Sequence, residues 1–194
     1  MKNTKQQKPK HLFTIEVPLH NPAILQQLKA GDKVLLTGTL YTARDQAHKK
    51  MAEALRRGGK LPFNPAGQAI YYVGPTPARP GRVIGAAGPT TASRMDAFAP
   101  ALYNAGIKLT IGKGNRSAEV VATCKKNRAV YLVATGGAGA LLSTYIKSAK
   151  VIAYPELGPE AVYQFEVENF PAIVAVDIKG NNLFEEAARR KTNW

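Results

Sequence analysis

The chain has one cysteine, few acidic residues and no long apolar segment. Cys124 has no second cysteine with which to form an internal disulfide, and alone it cannot hold a metal cluster. Such sparse cysteine is typical of a reducing compartment. No stretch approaches the roughly 20 apolar residues of a membrane-spanning helix, and residues 1–10 are polar and lysine-rich rather than a secretory leader. We therefore expect a cytoplasmic protein without a membrane segment.

Acidic residues are outnumbered: 13 Asp and Glu stand against 27 Lys and Arg, and the net charge is +14. Such an excess is compatible with nucleic acid, an acidic partner subunit or an anionic substrate, and its sign alone does not choose. Half of the excess lies near the chain ends, at Lys2, Lys5, Lys8, Lys10, Arg189, Arg190 and Lys191. We interpret residues 1–10 as a flexible basic tail and residues 11–194 as a single domain, whose body is still basic.

The 17 glycines and 13 prolines separate many short predicted elements. Alternating and β-branched apolar runs predict strands over 11–17, 33–41, 69–73, 82–87, 107–111, 129–134, 151–154, 161–167 and 172–178. Helical patterns cover 42–57 with Thr42 as N-cap, 92–104, 117–126, a short segment ending near 147, and 181–190. This order predicts a layered α/β domain whose functional loops follow its strands.

Two predicted strand-to-helix turns carry an arginine where a helix would begin. Arg44 follows Thr42, and Arg94 follows Thr90 and Thr91. The positive end of a helix dipole disfavours a cation there by up to about 1 kcal/mol. An anion bound at each turn would reverse that effect, because free N–H groups, hydroxyls and guanidinium groups would all face it. The two turns would suit the two carboxylates of one small molecule; pairing of each arginine with a neighbouring acid is the alternative.

Four further residues lie at or beside these turns. Lys113, in the glycine-rich segment 112–116, can act as a point charge on an anion. His48 is four residues after Arg44 on the same helix face, where it could orient a substrate carboxylate or hydrogen-bond within the fold. Asp45 and Asp96 each stand near an arginine in sequence and could fix the direction of its guanidinium group.

Other chemistries are weakly supported. The glycine turn 136–139 lacks the third glycine of a dinucleotide-binding loop, and no phosphate-binding GxxxxGK[ST] motif is present. The three histidines have no metal-ligand spacing with Cys124, so we predict no metal site in this chain. Cys124 itself is interpreted as a small buried apolar residue on an amphipathic helix.

The segments that carry the candidate residues resemble the C-terminal domain of class I fumarases, which forms a separate β chain in two-subunit enzymes. They are residues 38–48 (GTLYTARDQAH), 72–77 (YVGPTP), 88–96 (GPTTASRMD) and 112–115 (GKGN). The similarity extends from about Leu12 to Phe184. Its motifs are specific to the beta-type hydro-lyase family of fumarases and L(+)-tartrate dehydratases.

This resemblance implies a swivelling β/β/α domain, an α/β fold with a mixed sheet and flanking helices. It also implies a hetero-oligomer in which a partner alpha subunit binds a [4Fe–4S] cluster through three cysteines, while this chain binds no cofactor. The implied reaction is the reversible hydration of fumarate to (S)-malate, a step of the tricarboxylic acid cycle, and it would need both chains. The open iron of the cluster would act as a Lewis acid on the substrate. Arg44, Arg94 and Lys113 would bind the carboxylates of the substrate, and Thr90 would handle the proton together with Arg94.

Three rival interpretations stay open. An L(+)-tartrate dehydratase β subunit is the nearest, although we associate those enzymes with a second cysteine near the first motif and a bulkier residue at the position of Ser93. A nucleic-acid-binding module would explain the charge, but the sequence lacks interleaved aromatics and recognition motifs. A scaffold that only binds the alpha subunit would tolerate alanine at Arg44 and Arg94.

Overall fold

The computed structural model describes residues 11–191, so the predicted tail at 1–10 lies outside the described residues. Within them the strands are β1 (Leu12–Val17), β2 (Lys33–Thr42), β3 (Ala69–Tyr71), β4 (Leu109–Gly112), β5 (Val130–Val133), β6 (Ile146–Ala153) and β7 (Val162–Val176). The helices are α1 (Asp45–Arg56), α2 (Ala99–Ala105), α3 (Ala118–Asn127), α4 (Gly139–Ser143) and α5 (Leu183–Lys191), with short 3-10 helices at Pro22–Gln26, Ala92–Met95 and Pro155–Glu160. None of these helices is long and apolar enough to cross a membrane.

All seven strands belong to one mixed sheet in the order β1-β2-β3-β4-β5-β7-β6. Strands β1 to β5 pair in parallel, whereas β7 is antiparallel to β2, β5 and β6. Because β2 pairs with both β3 and β7, the five strands β2, β3, β4, β5 and β7 close into a barrel. This arrangement confirms the predicted mixed α/β fold with flanking helices.

Successive residues of β3 and the two residues that follow it face two separate cores. Tyr71 and Val73 belong to the apolar cluster inside the barrel, whereas Ile70 and Tyr72 pack in the cluster between the sheet and the helices. All four side chains are fully buried. Each such burial stabilises the fold by about 1.5–3 kcal/mol, and the two-residue period of a strand places alternate side chains on opposite faces.

Thr42 does not cap α1, and that prediction is wrong. It is the last residue of β2 and is fully buried. Its hydroxyl accepts from the N–H of Tyr163 at 3.0 Å and donates to the carbonyl of Ala161 at 3.3 Å. The hydroxyl therefore ties β2 to the start of β7, and the helix begins three residues later with Arg44 as its N-cap.

Segment 82–87 is a loop, so the strand predicted there is also wrong. Thr76 closes the loop: its N–H donates to the carbonyl of Ala86 at 3.0 Å, and its hydroxyl accepts from the N–H of the same residue at 2.8 Å. Gly85 donates its N–H to the carbonyl of Thr76 at 3.1 Å. These local bonds satisfy backbone groups that would otherwise need a neighbouring strand.

Three other element boundaries in the structure differ from the predicted ones. The helix predicted over 92–104 is a 3-10 turn followed by α2, and Pro100 lies in the first turn of α2, where its missing N–H costs nothing. The helix expected to run to 147 ends at Ser143, because Ile146 already belongs to β6. The strands predicted over 161–167 and 172–178 are the single strand β7.

Candidate functional site

Four loops meet at one edge of the sheet, because neighbouring parallel strands β2, β3, β4 and β5 all end there. Loop 88–92 is inserted between the ends of β3 and β4. Thr90 donates its N–H to the carbonyl of Tyr72 at 2.8 Å, and Lys113 donates its N–H to the carbonyl of Thr90 at 3.0 Å. Two predicted site residues, Thr90 and Lys113, are therefore backbone neighbours. Ligands of parallel α/β folds, open or closed into a barrel, commonly bind beyond the carboxyl ends of the strands.

The glycine turn at 136–139 serves close backbone packing beside this loop. A Cβ at Gly139 would lie 2.9 Å from the nitrogen of Gly88, and Ala87 donates its N–H to the carbonyl of Gly139 at 3.0 Å. A Cβ at Gly136 would lie 3.6 Å from Cδ of Lys113. The turn that suggested a dinucleotide-binding loop therefore packs against loop 88–92 and the side chain of Lys113.

Arg94 pairs with Asp45 across the edge. Its Nε lies 3.0 Å from Oδ1 and its NH2 lies 2.8 Å from Oδ2, a two-point contact. Asp45 is thus the partner of Arg94 rather than of Arg44, its neighbour in sequence. The Arg94 side chain is 50% exposed, so it keeps a face toward solvent while the carboxylate fixes its direction. As a partly exposed ion pair it stabilises the fold by at most about 1 kcal/mol.

Arg44 caps α1 and pairs with Glu160. Its NH2 lies 3.5 Å from Oε1 of Glu160, whose Oε2 accepts from the N–H of Gln46 at 3.0 Å. A carboxylate of the chain itself therefore occupies the helix N-terminus, where the sequence predicted an anion. Nε of Arg44 is buried and has no hydrogen-bond partner. The side chain lies against Gly74, where a Cβ would come within 2.7 Å of NH1.

His48 is fully buried, so in this structure it has no surface to offer a ligand. Its Nδ1 donates to the carbonyl of Arg44 at 2.9 Å, and its ring stands edge-on to Tyr72 at 5.0 Å. Burial lowers the pKa of His48 to about 4, so the ring is neutral at pH 7. Of the two roles left open by the sequence, the geometry favours the hydrogen bond within the fold, which holds the turn of Arg44.

Asp96 faces Arg116, a residue that the sequence analysis did not select. Its Oδ1 accepts from Nε of Arg116 at 2.7 Å, and its Oδ2 accepts from the N–H of Ser117 at 2.7 Å. Arg116 lies between the rings of Tyr72 and Tyr131, 5.3 and 4.9 Å from their centres. The sequence gives no signal for this burial, because an arginine before a helix cap normally faces solvent.

The described part of the chain does not supply the ligands of a metal cluster. Across residues 11–191 no group of three or more His, Cys, Asp or Glu side chains is placed to hold a metal ion. Cys124 is fully buried, and burial raises the pKa of its thiol. The edge instead offers guanidinium, ammonium and hydroxyl groups on an open surface, which suits the binding of carboxylates and the stabilisation of negative charge.

Comparisons with known proteins show similarity over most of the chain. The family model described as "Fumarase C-terminus" matches residues 1–187. "Fumarate hydratase 2" of Leishmania major is 43% identical over 185 residues, which are 91% of this chain and 33% of that protein. "Fumarate hydratase class I, anaerobic" of Escherichia coli is 39% identical over 184 residues, 91% of this chain and 34% of that protein. The chain thus spans about a third of the length of these relatives.

A shorter relative is matched over most of its length. "L(+)-tartrate dehydratase subunit beta" of Escherichia coli is 34% identical over 167 residues, which are 84% of this chain and 82% of that protein. The same domain is therefore found both as part of long fumarate hydratases and as a chain named as a subunit.

Proposed function

This chain belongs to the fumarase C-terminus family, and from that membership we propose that it is the β subunit of a two-subunit hydro-lyase that interconverts fumarate and (S)-malate. The observation that carries the proposal is the edge where Arg44, Arg94, Lys113 and Thr90 are presented by loops of neighbouring parallel strands. In this reading the cations bind the two carboxylates of the substrate. Each hydrogen bond to a charged group contributes about 1.5–3 kcal/mol.

The residue types suit the chemistry of hydration and its reverse. Removing a proton from the carbon beside a carboxylate moves negative charge onto that carboxylate, and fixed cations that meet this charge lower the barrier. Arg94 is oriented for such a role by its two-point contact with Asp45. Thr90 is the proposed proton-handling group, and since an alcohol is a weak base it depends on Arg94 or on the partner for activation.

The proposal includes a partner alpha subunit. In this proposal that chain covers the open edge and holds a [4Fe–4S] cluster, as the resemblance to class I fumarases implies. When bound, the cluster would supply a Lewis acid for the hydroxyl group that enters or leaves. The residues described above would bind and orient the dicarboxylate against it.

A tartrate dehydratase is the second candidate, because the relative that matches this chain over 82% of its own length is a tartrate dehydratase β subunit. Both activities remove or add water beside a carboxylate, so the same cations would serve either substrate. Sequence identity does not separate the two candidates, because the fumarate hydratases are 43% and 39% identical to this chain and two relatives named as tartrate dehydratase β subunits, one of them as putative, are 40% and 34% identical. We place fumarate first because this chain has no second cysteine near its first motif and has Ser93 where we associate a bulkier residue with the tartrate enzymes.

Anaerobic reconstitution of this chain with its candidate alpha subunit and an iron–sulfur source tests the proposal. We expect hydration of fumarate that requires both chains, with slower or no dehydration of L(+)-tartrate. Arg94→Ala should lower kcat/KM about 100-fold or more, because a removed charge-stabilising donor typically costs about 3 kcal/mol. Arg128→Ala, at an exposed arginine beyond α3, is the matched control and should leave kcat/KM unchanged.

Two results would contradict the proposal. A cluster-loaded complex that turns over neither acid would exclude both substrates. Full activity of the Arg94→Ala complex would instead leave the chain as a scaffold for the alpha subunit.

A further inference from the structure

Arg116 is a buried cation that the proposed chemistry does not use. Its side chain has no solvent exposure, and NH1 donates to the hydroxyl of Tyr72 at 3.1 Å in addition to the contact of Nε with Asp96 at 2.7 Å. NH2 is buried and has no hydrogen-bond partner. Desolvating a guanidinium group is costly, so its contacts must offset a considerable penalty.

Two of the cation-bearing turns are joined directly through this residue. Lys113 lies in the loop that Arg116 ends, and Arg94 lies two residues before Asp96. The second oxygen of Asp96 accepts from the N–H of Ser117 at 2.7 Å, so both ends of the contact are fixed. The ion pair therefore joins the loop of Lys113 to the 3-10 turn of Arg94.

The third turn is reached through Tyr72. The carbonyl of Tyr72 accepts from the N–H of Thr90, and its ring contacts the edge of His48, which bonds the carbonyl of Arg44. The hydroxyl of the same tyrosine accepts from Arg116. One buried guanidinium group is thus connected to every turn that presents a candidate substrate-binding cation, to the turn of Arg44 through Tyr72 and His48 in succession.

A role in stability alone does not require an arginine at this position. Buried ion pairs are often no more stabilising than apolar side chains of the same volume. A planar guanidinium group, however, can meet a carboxylate, a hydroxyl and two aromatic faces at once, which an ammonium group cannot do. We propose that Arg116 is a positioning residue that sets the spacing of Arg44, Arg94 and Lys113, an inference that rests on the proposed function for the identity of the ligand.

The test compares Arg116→Lys with Arg128→Lys in the complex with the cluster-bearing partner. We expect Arg116→Lys to lower kcat/KM for fumarate at least tenfold, while Tm changes by only a few degrees and Arg128→Lys matches the wild type. Arg116→Lys should lower kcat/KM by a smaller factor in the Arg94→Ala variant than in the wild type, because a residue that acts through Arg94 shows non-additive effects. A purely structural role would lower Tm and leave kcat/KM of the folded complex unchanged.

Amide hydrogen exchange on the chain alone separates this inference from the proposed function. Arg116→Lys should speed exchange at least tenfold for the N–H groups of Thr90 and Lys113, which bond between the turns, and not for those in the centre of α1. If Arg116→Lys does not fold, Asp96→Asn removes the same ion pair and should give the same pattern. Exchange and kcat/KM within threefold of the wild type would overturn the positioning role. An inactive wild-type complex would overturn the function, and the exchange result would still decide the role of Arg116.

Discussion

Lowering the pH from 7.5 to 5 should destabilise this chain through His48. The ring is fully buried, and its Nδ1–H already donates to the carbonyl of Arg44. Burial lowers its pKa from 6.5 to about 4, with Arg116 lowering it further, while the hydrogen bond to Arg44 and the charge of Asp45 act in the opposite direction. Protonation would therefore place a second cation in the layer that already contains Arg116.

Whether the free energy of unfolding rises or falls with pH depends on the number of protons bound in the folded and unfolded states. Between pH 6.5 and pH 4 the unfolded chain binds a proton on His48 and the folded chain does not, so the free energy of unfolding falls as the pH falls. A pKa difference of this size reduces the free energy of unfolding by about 2 kcal/mol at pH 5 relative to pH 7.5 and by about 3 kcal/mol below pH 4. The stabilisation from the neutral ring is fully present above pH 7.

Urea unfolding followed by circular dichroism at several pH values measures this effect. His48→Gln retains a side-chain donor for the carbonyl of Arg44 but does not titrate, so its stability should change about 2 kcal/mol less than that of the wild type between pH 7.5 and 5. His20→Gln, at an exposed histidine, should keep the full dependence of the wild type. Parallel curves for the wild type and His48→Gln would refute the reasoning, whatever their absolute stabilities.

Two other substitutions have defined expected results. Gly74→Ala places a Cβ 2.8 Å from Cδ of Arg44, so the arginine must move; we expect a loss of about 1–3 kcal/mol in urea unfolding and a raised KM for fumarate, and an unchanged KM would contradict this packing. Thr110→Val removes the hydroxyl that pairs with the buried Tyr103 and should cost about 1–2 kcal/mol, whereas Thr110→Ser should restore most of it; equal stability of both variants would contradict the bond.

The strands show where sequence patterns suffice and where they fail. The alternation at 11–17 predicted β1 correctly, because one face of that strand is buried and the other is not. The break expected near Pro171 did not occur. At that position β7 pairs with β2 alone, since β6 pairs with an earlier part of the strand and β5 with a later one, and a proline is tolerated where one side of a strand is unpaired.

The residue types that follow the strands can be recognised without a structure, and the motifs around Arg44, Thr90, Arg94 and Lys113 indicate the family. These features depend on a few consecutive residues. The roles of those residues as substrate ligands stay predictions.

The hydrogen-bond and ion-pair partners of these residues become visible only in the folded chain. Asp45 contacts Arg94 rather than its neighbour in sequence. Arg116 lies between Tyr131 of β5 and Tyr72, which follows β3, and the ring of His48 packs edge-on against Tyr72. Asp45 and Arg94 are 49 positions apart in the chain. Such contacts depend on strand pairing and register, which bring distant turns to one edge of the sheet, and no local pattern of residues encodes that distance.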